Sequence, residues 1–203
     1  MKHDFLPAAH YHFLTSLYDP FVRIFFGSLY KKIAPIIKPK EGQKILDIGC
    51  GSGLVIQALK KYQPKIEITG VDIDPKILKI AARKFHKNKI DAKLIEASAT
   101  DIPLREKFDI VISTLVIHHL PTDEKKQMLQ EARRLLKTGG SFFLFDFAPP
   151  KNWLGHIEAK MMHHFEPIDE AIENKYREYL KEAGFKDIQS KYRTNIFQML
   201  EAK

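Results

Sequence analysis

The sequence predicts an α/β fold, in which a doubly wound and mostly parallel sheet carries helices on both faces. Two observations support this fold class. Apolar runs of strand length alternate along the chain with amphipathic runs of helix length, a pattern that is typical of successive βαβ units. The first apolar run, residues 44–48, is followed by three glycines at alternate positions and a helical pattern, which indicates a strand, a tight turn and a helix.

The same alternation places the elements in order. Asp74 and Pro75 supply an N-cap and a first-turn proline for one helix. Gly184 fits the end of another, whose apolar face would comprise Ile172, Tyr176, Tyr179, Leu180 and Ala183. Strands are expected near residues 44–48, 66–72, 92–96, 108–114, 140–147, 186–193 and 195–202, and helices over 54–62, 75–87, 122–137 and 168–183.

Length and composition agree with one domain. A chain of 203 residues, 44% of them hydrophobic, is long enough to bury a full core. The single cysteine, Cys50, excludes an internal disulfide and a zinc site built from several cysteines. The chain has no run of ~18 apolar residues, and its N-terminus lacks the apolar core of a signal peptide. We therefore expect a cytoplasmic protein.

The glycine turn restricts the class of ligand. Gly49, Gly51 and Gly53 do not match the G-x-G-x-x-G spacing that seats a pyrophosphate, which disfavours NAD and FAD. No lysine and hydroxyl pair closes the turn, which disfavours ATP in a Walker loop. Asp72 ends the next strand about 20 residues later, where a carboxylate in a βαβ unit reaches a ribose diol. The pattern indicates a nucleoside ligand without a pyrophosphate.

These residues resemble motif I and the acidic residue of the second strand in class I S-adenosylmethionine-dependent methyltransferases, in particular the small-molecule and lipid-quinone type. Later segments resemble further motifs of the family in the same order: residues 97–103, 107–113, 118–121 and 135–143. The resemblance covers roughly residues 43–148. It implies S-adenosylmethionine as cofactor and S-adenosylhomocysteine as product. It also implies a seven-stranded sheet with an antiparallel C-terminal strand, and an N-terminal helical lid.

The resemblance further implies which residues bind the cofactor. They are the residues of the turn and of the strand ends, with one from the lid: Asp47, Gly49, Cys50, Gly51, Gly53, Asp72, Ile73, Ser98, Ala99, Ser113, Thr114, Leu115 and Tyr18. In the family the residue at Asp47 helps to hold the glycine turn in shape. Cys50 is expected to pack as a small apolar group. Ser98 stands where relatives often carry an acid for the adenine amino group, and a hydroxyl accepts that hydrogen bond more weakly.

The chain divides, on this resemblance, into three parts of a single domain spanning residues 1–203. Residues 1–42 would form the helical lid, residues 43–148 the cofactor-binding core, and residues 149–203 an acceptor-side insert, a helix and a strand hairpin. The insert carries several apolar side chains and histidines: Trp153, His156, Met161, Met162, His163, His164 and Phe165. Its apolar content predicts a small, apolar or lipid-like methyl acceptor.

Two adjacent histidines are the predicted catalytic residues. Methyl transfer from a sulfonium is an in-line displacement, in which alignment supplies most of the acceleration. A base is needed only when the acceptor arrives protonated. His118 and His119 follow the fourth strand, and either can take a proton near neutral pH. A metal site that combines them with His163 and His164 is not predicted, because no acid pairs with these histidines at ligand spacing.

Two other functions compete with methylation of a small molecule. The net charge is +8, and the second helix carries a basic face of Lys76, Lys79, Arg83 and Lys87. This face would suit an RNA or protein methyltransferase, although such faces are more often simply solvated. A cofactor-binding pseudoenzyme that regulates a partner is the other alternative. Peripheral membrane contact is compatible with the aromatic N-terminus, and the oligomeric state is not predicted.

Overall fold

The computed structural model describes residues 32–164 and 166–203, and in these ranges the chain forms one seven-stranded sheet with helices. The strands are β1 (Lys44–Ile48), β2 (Glu67–Asp72), β3 (Lys93–Glu96), β4 (Phe108–Thr114), β5 (Leu136–Phe147), β6 (Ile188–Arg193) and β7 (Phe197–Ala202). The helices are α1 (residues 32–37), α2 (Leu54–Tyr62), α3 (Pro75–Asn88), α4 (Thr122–Leu135), α5 (Trp153–Met162), α6 (Asp169–Ile172) and α7 (Lys175–Glu182). A 3₁₀ turn spans Ile117–His119. Most of the expected lid, including Tyr18, lies outside the described residues.

The strand order is β3-β2-β1-β4-β5-β7-β6. Strands β1 to β5 are parallel to one another, while β7 runs antiparallel to both β5 and β6. The order reverses between β1 and β4, because β1 leads outward to β2 and β3, and the chain then returns to β4. This arrangement confirms the predicted doubly wound sheet and its antiparallel C-terminal strand.

Both faces of the sheet are covered. Alternate residues of a strand point to opposite faces, so Val111 of β4 packs on one side and Ile112 on the other. One face packs against α4 and α7, through buried residues such as Met128 and Leu180. The other packs against α1, α2 and α3, through residues that include Phe85. In the described part of the chain, the helices cover both faces and leave the ends of the strands open for a ligand.

Helix α3 begins as its sequence predicts. Asp74 is the N-cap, and its Oδ1 accepts a hydrogen bond of 2.8 Å from the backbone N–H of Lys76. The helix buries Ile77, Leu78, Ala81 and Phe85, and it exposes the basic face of Lys76, Lys79, Arg83 and Lys87. Among the described residues, no helix is long and apolar enough to cross a membrane.

The expected single helix over residues 168–183 is wrong. The chain forms α6 and α7 instead, because Asn174 between them has a left-handed backbone with φ of 61°. Asparagine tolerates this conformation better than most residues, and it interrupts the helical hydrogen bonds. Strand β5 also begins at Leu136 rather than near residue 140, since Leu136 pairs with Phe108 ahead of a bulge.

The insert after β5 is helical. Asn152 is the N-cap of α5, and its Oδ1 accepts a hydrogen bond of 2.9 Å from the N–H of Gly155. Backbone hydrogen bonds from Ala148 to Ile196 and from Lys151 to Asn195 fasten the start of the insert to the loop between β6 and β7. The insert is therefore attached to the antiparallel side of the sheet.

Candidate active site

The reversal of strand order brings the predicted functional segments to one edge of the sheet. Ile48, the last residue of β1, pairs with Val71 of β2 on one side and with Ser113 of β4 on the other. The residues that follow these strands are therefore neighbours. In doubly wound sheets the crevice beyond the carboxyl ends, at the reversal point, is the usual position of a ligand.

The glycine turn consists of two packing positions and one open position. All three glycines have left-handed backbones, with φ of 71° at Gly49, 52° at Gly51 and 78° at Gly53. A β-carbon on Gly49 would lie 2.3 Å from a methyl group of Val116, and one on Gly53 would lie 2.4 Å from the ring of Phe85. A β-carbon on Gly51 would meet no atom of the described residues within 4 Å. Space for a ligand is therefore found over Gly51.

Asp72 fastens this turn to β2. Its Oδ2 accepts a hydrogen bond of 2.8 Å from the N–H of Gly51, and its Oδ1 accepts one of 3.0 Å from the N–H of Asp74. Burial raises the pKa of Asp72, and the two backbone N–H groups partly offset that effect. A carboxylate has about four lone-pair sites. Acceptor capacity for a ribose diol therefore remains after both of these hydrogen bonds.

Asp47 has no such support. The residue is 1% exposed, and neither carboxylate oxygen has a hydrogen-bond partner among the described residues. Burial, together with the negative charge of Asp72, raises the pKa of Asp47 to about 8. The expectation that Asp47 holds the turn in shape is wrong, because Asp72 makes the hydrogen bond to the turn instead. A buried carboxylate without a partner is unfavourable unless a ligand supplies one.

The remaining residues predicted on the cofactor side differ in their surroundings. Cys50 is buried and faces Gly70, where a β-carbon would lie 2.7 Å from its sulfur, so it packs as expected. Ile73 is 43% exposed. The hydroxyl of Ser98 lies 2.8 Å from that of Thr100 and also accepts a hydrogen bond from the Thr100 N–H. Ala99 lies between these two residues and is half-buried.

The end of β4 carries two buried hydroxyls and one strained residue. The side-chain oxygens of Ser113 and Thr114 are buried and have no hydrogen-bond partner among the described residues. Leu115 follows with φ of 56°, a conformation that is uncommon for a residue other than glycine. Its N–H donates to the carbonyl oxygen of Phe145 at 2.9 Å. Such strain is often found at functional sites.

His118 is held by a buried carboxylate. The residue is 3% exposed, and its Nδ1 lies 2.8 Å and 3.0 Å from the two carboxylate oxygens of Asp146. Burial alone would lower the pKa of His118, but the charge of Asp146, with a contribution from Glu166, raises it to about 9. The imidazole therefore carries a proton at neutral pH, and its ring is fixed in orientation.

His119 lies against His118, with ring centroids 4.0 Å apart. Burial and the positive charge of His118 lower the pKa of His119 to about 4. Glu166 faces both rings: its Oε2 lies 3.5 Å from Nδ1 of His119 and 3.6 Å from Nε2 of His118. The two predicted catalytic histidines are therefore adjacent in the structure. Their pKa values are shifted in opposite directions, so that His118 is charged and His119 is neutral at neutral pH.

Sequence reasoning missed the two acids of this cluster. The expectation that no acid pairs with the histidines is wrong, because Asp146 bonds His118 and Glu166 faces both rings. Asp146 did have a signal, since it is a charged residue between two phenylalanines in a buried strand. Glu166 had none. His163 does not join the cluster and instead bonds Asp169 at 2.6 Å.

Comparison with known proteins agrees with this geometry. The family profile described as a methyltransferase domain matches residues 45–140. A demethylmenaquinone methyltransferase of Thermotoga maritima is 30% identical over 130 residues, which are 63% of this chain and 54% of that protein. A 2-methyl-6-phytyl-1,4-hydroquinone methyltransferase of Oryza sativa is 30% identical over 151 residues, which are 74% of this chain and 43% of that protein.

A solved structure extends the match. Magnesium protoporphyrin IX methyltransferase of Synechocystis, crystallised with bound S-adenosylmethionine, aligns with a TM-score of 0.65 at 21% identity, covering 89% of this chain and 80% of that one. The chain spans about half the length of the curated relatives that it matches, for example 54% of the Thermotoga protein. Residues 45–140 therefore match the methyltransferase domain family, and the strand order and the glycine turn of the structure agree with that match.

Proposed function

We propose that this protein transfers a methyl group from S-adenosylmethionine to a small, apolar acceptor of the quinol or phenol type. The observation that carries the proposal is the pairing of two half-sites at one sheet edge. The cofactor side is formed by the glycine turn, with its open position at Gly51, and by the unpartnered carboxylate of Asp47. The His118–His119–Glu166 cluster, beyond the end of the neighbouring β4, forms the acceptor side.

The cofactor side matches the chemistry of S-adenosylmethionine. The ligand would approach the backbone at Gly51 and place its ribose diol against Asp72. Ile73 offers an exposed apolar surface for the adenine ring, and Ser98 and Ala99 would border that ring. S-adenosylmethionine also carries a positive ammonium and a positive sulfonium. A cation near Asp47 would favour the charged carboxylate and remove the unfavourable burial of an unpaired acid.

The acceptor side matches an apolar ligand. Trp153, Ile157 and Met161 lie on one side of α5 and are 57–69% exposed, although they are large hydrophobic residues. Exposed apolar surface beside a site often contacts a ligand. Two of the relatives described above are named for methylation of a quinone or hydroquinone precursor. The lid over this space, with Tyr18, stays a prediction.

The reaction needs alignment more than covalent assistance. The acceptor atom attacks the methyl carbon in line with the carbon–sulfur bond, and the electron pair of that bond stays on sulfur. The sulfonium becomes the neutral thioether of S-adenosylhomocysteine. An acceptor hydroxyl must also lose a proton. Because His118 is already protonated, His119 is the proton acceptor that we assign.

The first prediction concerns Gly51. Alanine at this position should weaken binding of S-adenosylmethionine at least tenfold, because its methyl group would occupy the space that the ligand needs. The left-handed backbone adds ~1 kcal/mol of strain to the folded state. Gly139→Ala is the matched control, since Gly139 also has a left-handed backbone with no atom of the described residues within 4 Å of the added carbon. Calorimetric titration should show normal binding by Gly139→Ala; equal affinities for both variants would contradict our placement of the ligand.

The second prediction separates two effects of Asp72. Asp72→Asn should weaken S-adenosylhomocysteine by about 1.5–3 kcal/mol through lost hydrogen bonds to a charged group. The same change also disturbs the hydrogen bond to Gly51. A ligand without the diol, such as 2′,3′-dideoxy-5′-methylthioadenosine, should therefore be affected much less than 5′-methylthioadenosine. If both ligands lose the same affinity, Asp72 acts only through the turn and our ribose placement is wrong.

The third prediction uses the raised pKa of Asp47. In the folded protein this carboxyl keeps its proton to about pH 8, whereas in the unfolded chain it releases it near pH 4. The folded state is therefore destabilised progressively as pH rises from about 4 to 8. In denaturant unfolding without cofactor, Asp47→Asn should abolish this loss and should be more stable than wild type at pH 9, by ~1–3 kcal/mol.

A paired acid provides the control. Hydrogen bonds from Lys137 and from the N–H of Lys44 lower the pKa of Asp109, although burial alone would raise it. Asp109 thus stabilises the folded state at pH values above the pKa that this carboxyl has in the unfolded chain. The stabilisation is lost as pH falls through the lower pKa that it has in the folded protein. Asp109→Asn should be less stable than wild type at both pH 5 and pH 9. Parallel pH curves for wild type and Asp47→Asn would contradict the assignment of Asp47.

The fourth prediction tests the reaction itself. The purified protein should bind S-adenosylmethionine and S-adenosylhomocysteine but not NAD, and it should transfer a labelled methyl group to a short-chain demethylated quinol. His119→Ala should reduce kcat with little change in cofactor affinity, by the 10²–10⁴-fold that is typical of a lost general base. Binding of the cofactor with no transfer to any phenol or quinol would overturn the acceptor class; failure to bind it would overturn the function as a whole.

A further inference from the structure

We infer that His118, His119 and Glu166 form a binding site for one divalent transition-metal ion of the zinc class. Each residue offers one ligand atom, and these atoms lie within 4.8 Å of one another. Oε2 of Glu166 is 3.6 Å from Nε2 of His118 and 3.5 Å from Nδ1 of His119. Two ligands of a tetrahedral zinc ion, each ~2.0–2.1 Å from the metal, are ~3.3–3.4 Å apart. The observed separations are close to that spacing.

The same distances disfavour a simple hydrogen-bonded cluster. Hydrogen bonds between nitrogen and oxygen are ~2.7–3.2 Å long, and charged ones are shorter. Glu166 makes neither contact at that length. Its Oε2 instead faces two ring nitrogens at nearly equal distance. Two nitrogens and one oxygen that converge at these distances are an arrangement that could hold one shared cation.

Asp146 supplies the support that metal-binding histidines usually have. Its carboxylate lies 2.8 Å from Nδ1 of His118 and also accepts a hydrogen bond of 2.7 Å from the N–H of Phe147. An Nδ1–H that donates to a carboxylate leaves Nε2 free to bind a metal, and it fixes the ring in the direction of the ion. His118 would bind the ion in this tautomer, with its Nε2 proton displaced.

The donor set indicates which ion would bind and what it would do. Two imidazoles and one carboxylate suit Zn²⁺, Co²⁺ or Fe²⁺, and are less suited to Mg²⁺, which prefers oxygen. Three protein ligands leave a coordination position open, as in catalytic sites. This role rests on our proposed function: in the metal-loaded protein the ion would polarise the acceptor hydroxyl and favour loss of its proton, whereas His119 is the proton acceptor in the metal-free protein.

The test is titration of metal-free protein with Co²⁺, followed by its visible absorption and by competition with Zn²⁺. The expected result is one Co²⁺ per chain with the strong bands of a low-coordinate site. His119→Ala and Glu166→Gln should each weaken binding at least tenfold, and Asp146→Asn should weaken it ~10–100-fold. His163→Ala is the control, because His163 contacts Asp169 outside the cluster. This variant should bind Co²⁺ normally.

Folding and activity are measured separately. Asp146→Asn leaves the buried His118 without its negatively charged partner and is prone to misfold, so Glu166→Gln, at a partly exposed residue, keeps the test decisive. The proposal is overturned if wild type and the double variant His119→Ala/Glu166→Gln bind Co²⁺ equally, or if only His163→Ala weakens binding. Binding of S-adenosylmethionine to chelator-treated protein tests the proposed function independently. Methyl transfer that is unaffected by chelation would reject the role of the ion in catalysis.

Discussion

Strand β1 hydrogen-bonds to β2 on one side and to β4 on the other, and this double pairing determines where the functional side chains lie. The parallel register aligns Ile48 with Val71 and with Ser113, so three strand ends are level at one edge. The glycine turn, Asp72 and the residues after β4 become neighbours for that reason alone. Side chains that are far apart in sequence then meet without any long loop to position them.

Three acids at this edge, of which Asp47 and Asp146 are buried and Asp72 is half-buried, differ in how their charge is balanced. Asp146 faces His118, which carries a proton, and the pair needs no ligand to be favourable. Asp72 accepts two backbone hydrogen bonds and is partly satisfied. Asp47 has neither a cation nor a donor among the described residues. The acid without a partner thus lies on the cofactor side of the edge, where a positively charged ligand would favour its ionised form. On the acceptor side, the negative charge of Asp146 is balanced by His118 or by a bound metal ion.

The sequence predicted what depends on local chemistry. The glycine turn, the cap of α3 and the position of Asp72 all follow from residues close together in the chain, and the structure shows each of them. The break at Asn174 was missed because the apolar spacing of α6 and α7 continues through it, and only the backbone angle reveals it.

The acceptor side was harder to predict because its contacts are long-range. Asp146 reaches His118 only through the register of β5 beside β4, and Glu166 approaches only through the turn after α5, where its N–H donates to the carbonyl oxygen of Met162. The role of Asp47 was predicted wrongly for a related reason. The sequence places both Asp47 and Asp72 at strand ends next to the glycine turn. Which of the two accepts the hydrogen bond from Gly51 depends on the direction of its carboxylate in the folded protein.

The different surroundings of the three glycines have a consequence for how such a chain can change over evolutionary time. Gly49 and Gly53 are needed by the folded protein itself, since larger residues would collide with Val116 and Phe85. Gly51 has no such neighbour among the described residues, so a larger side chain there would meet a bound ligand rather than the protein. A descendant that had given up cofactor chemistry would retain the first and third glycines for stability and accumulate substitutions at the second. The middle position therefore records, in any relative of known sequence, whether selection still acts on the ligand or only on the fold.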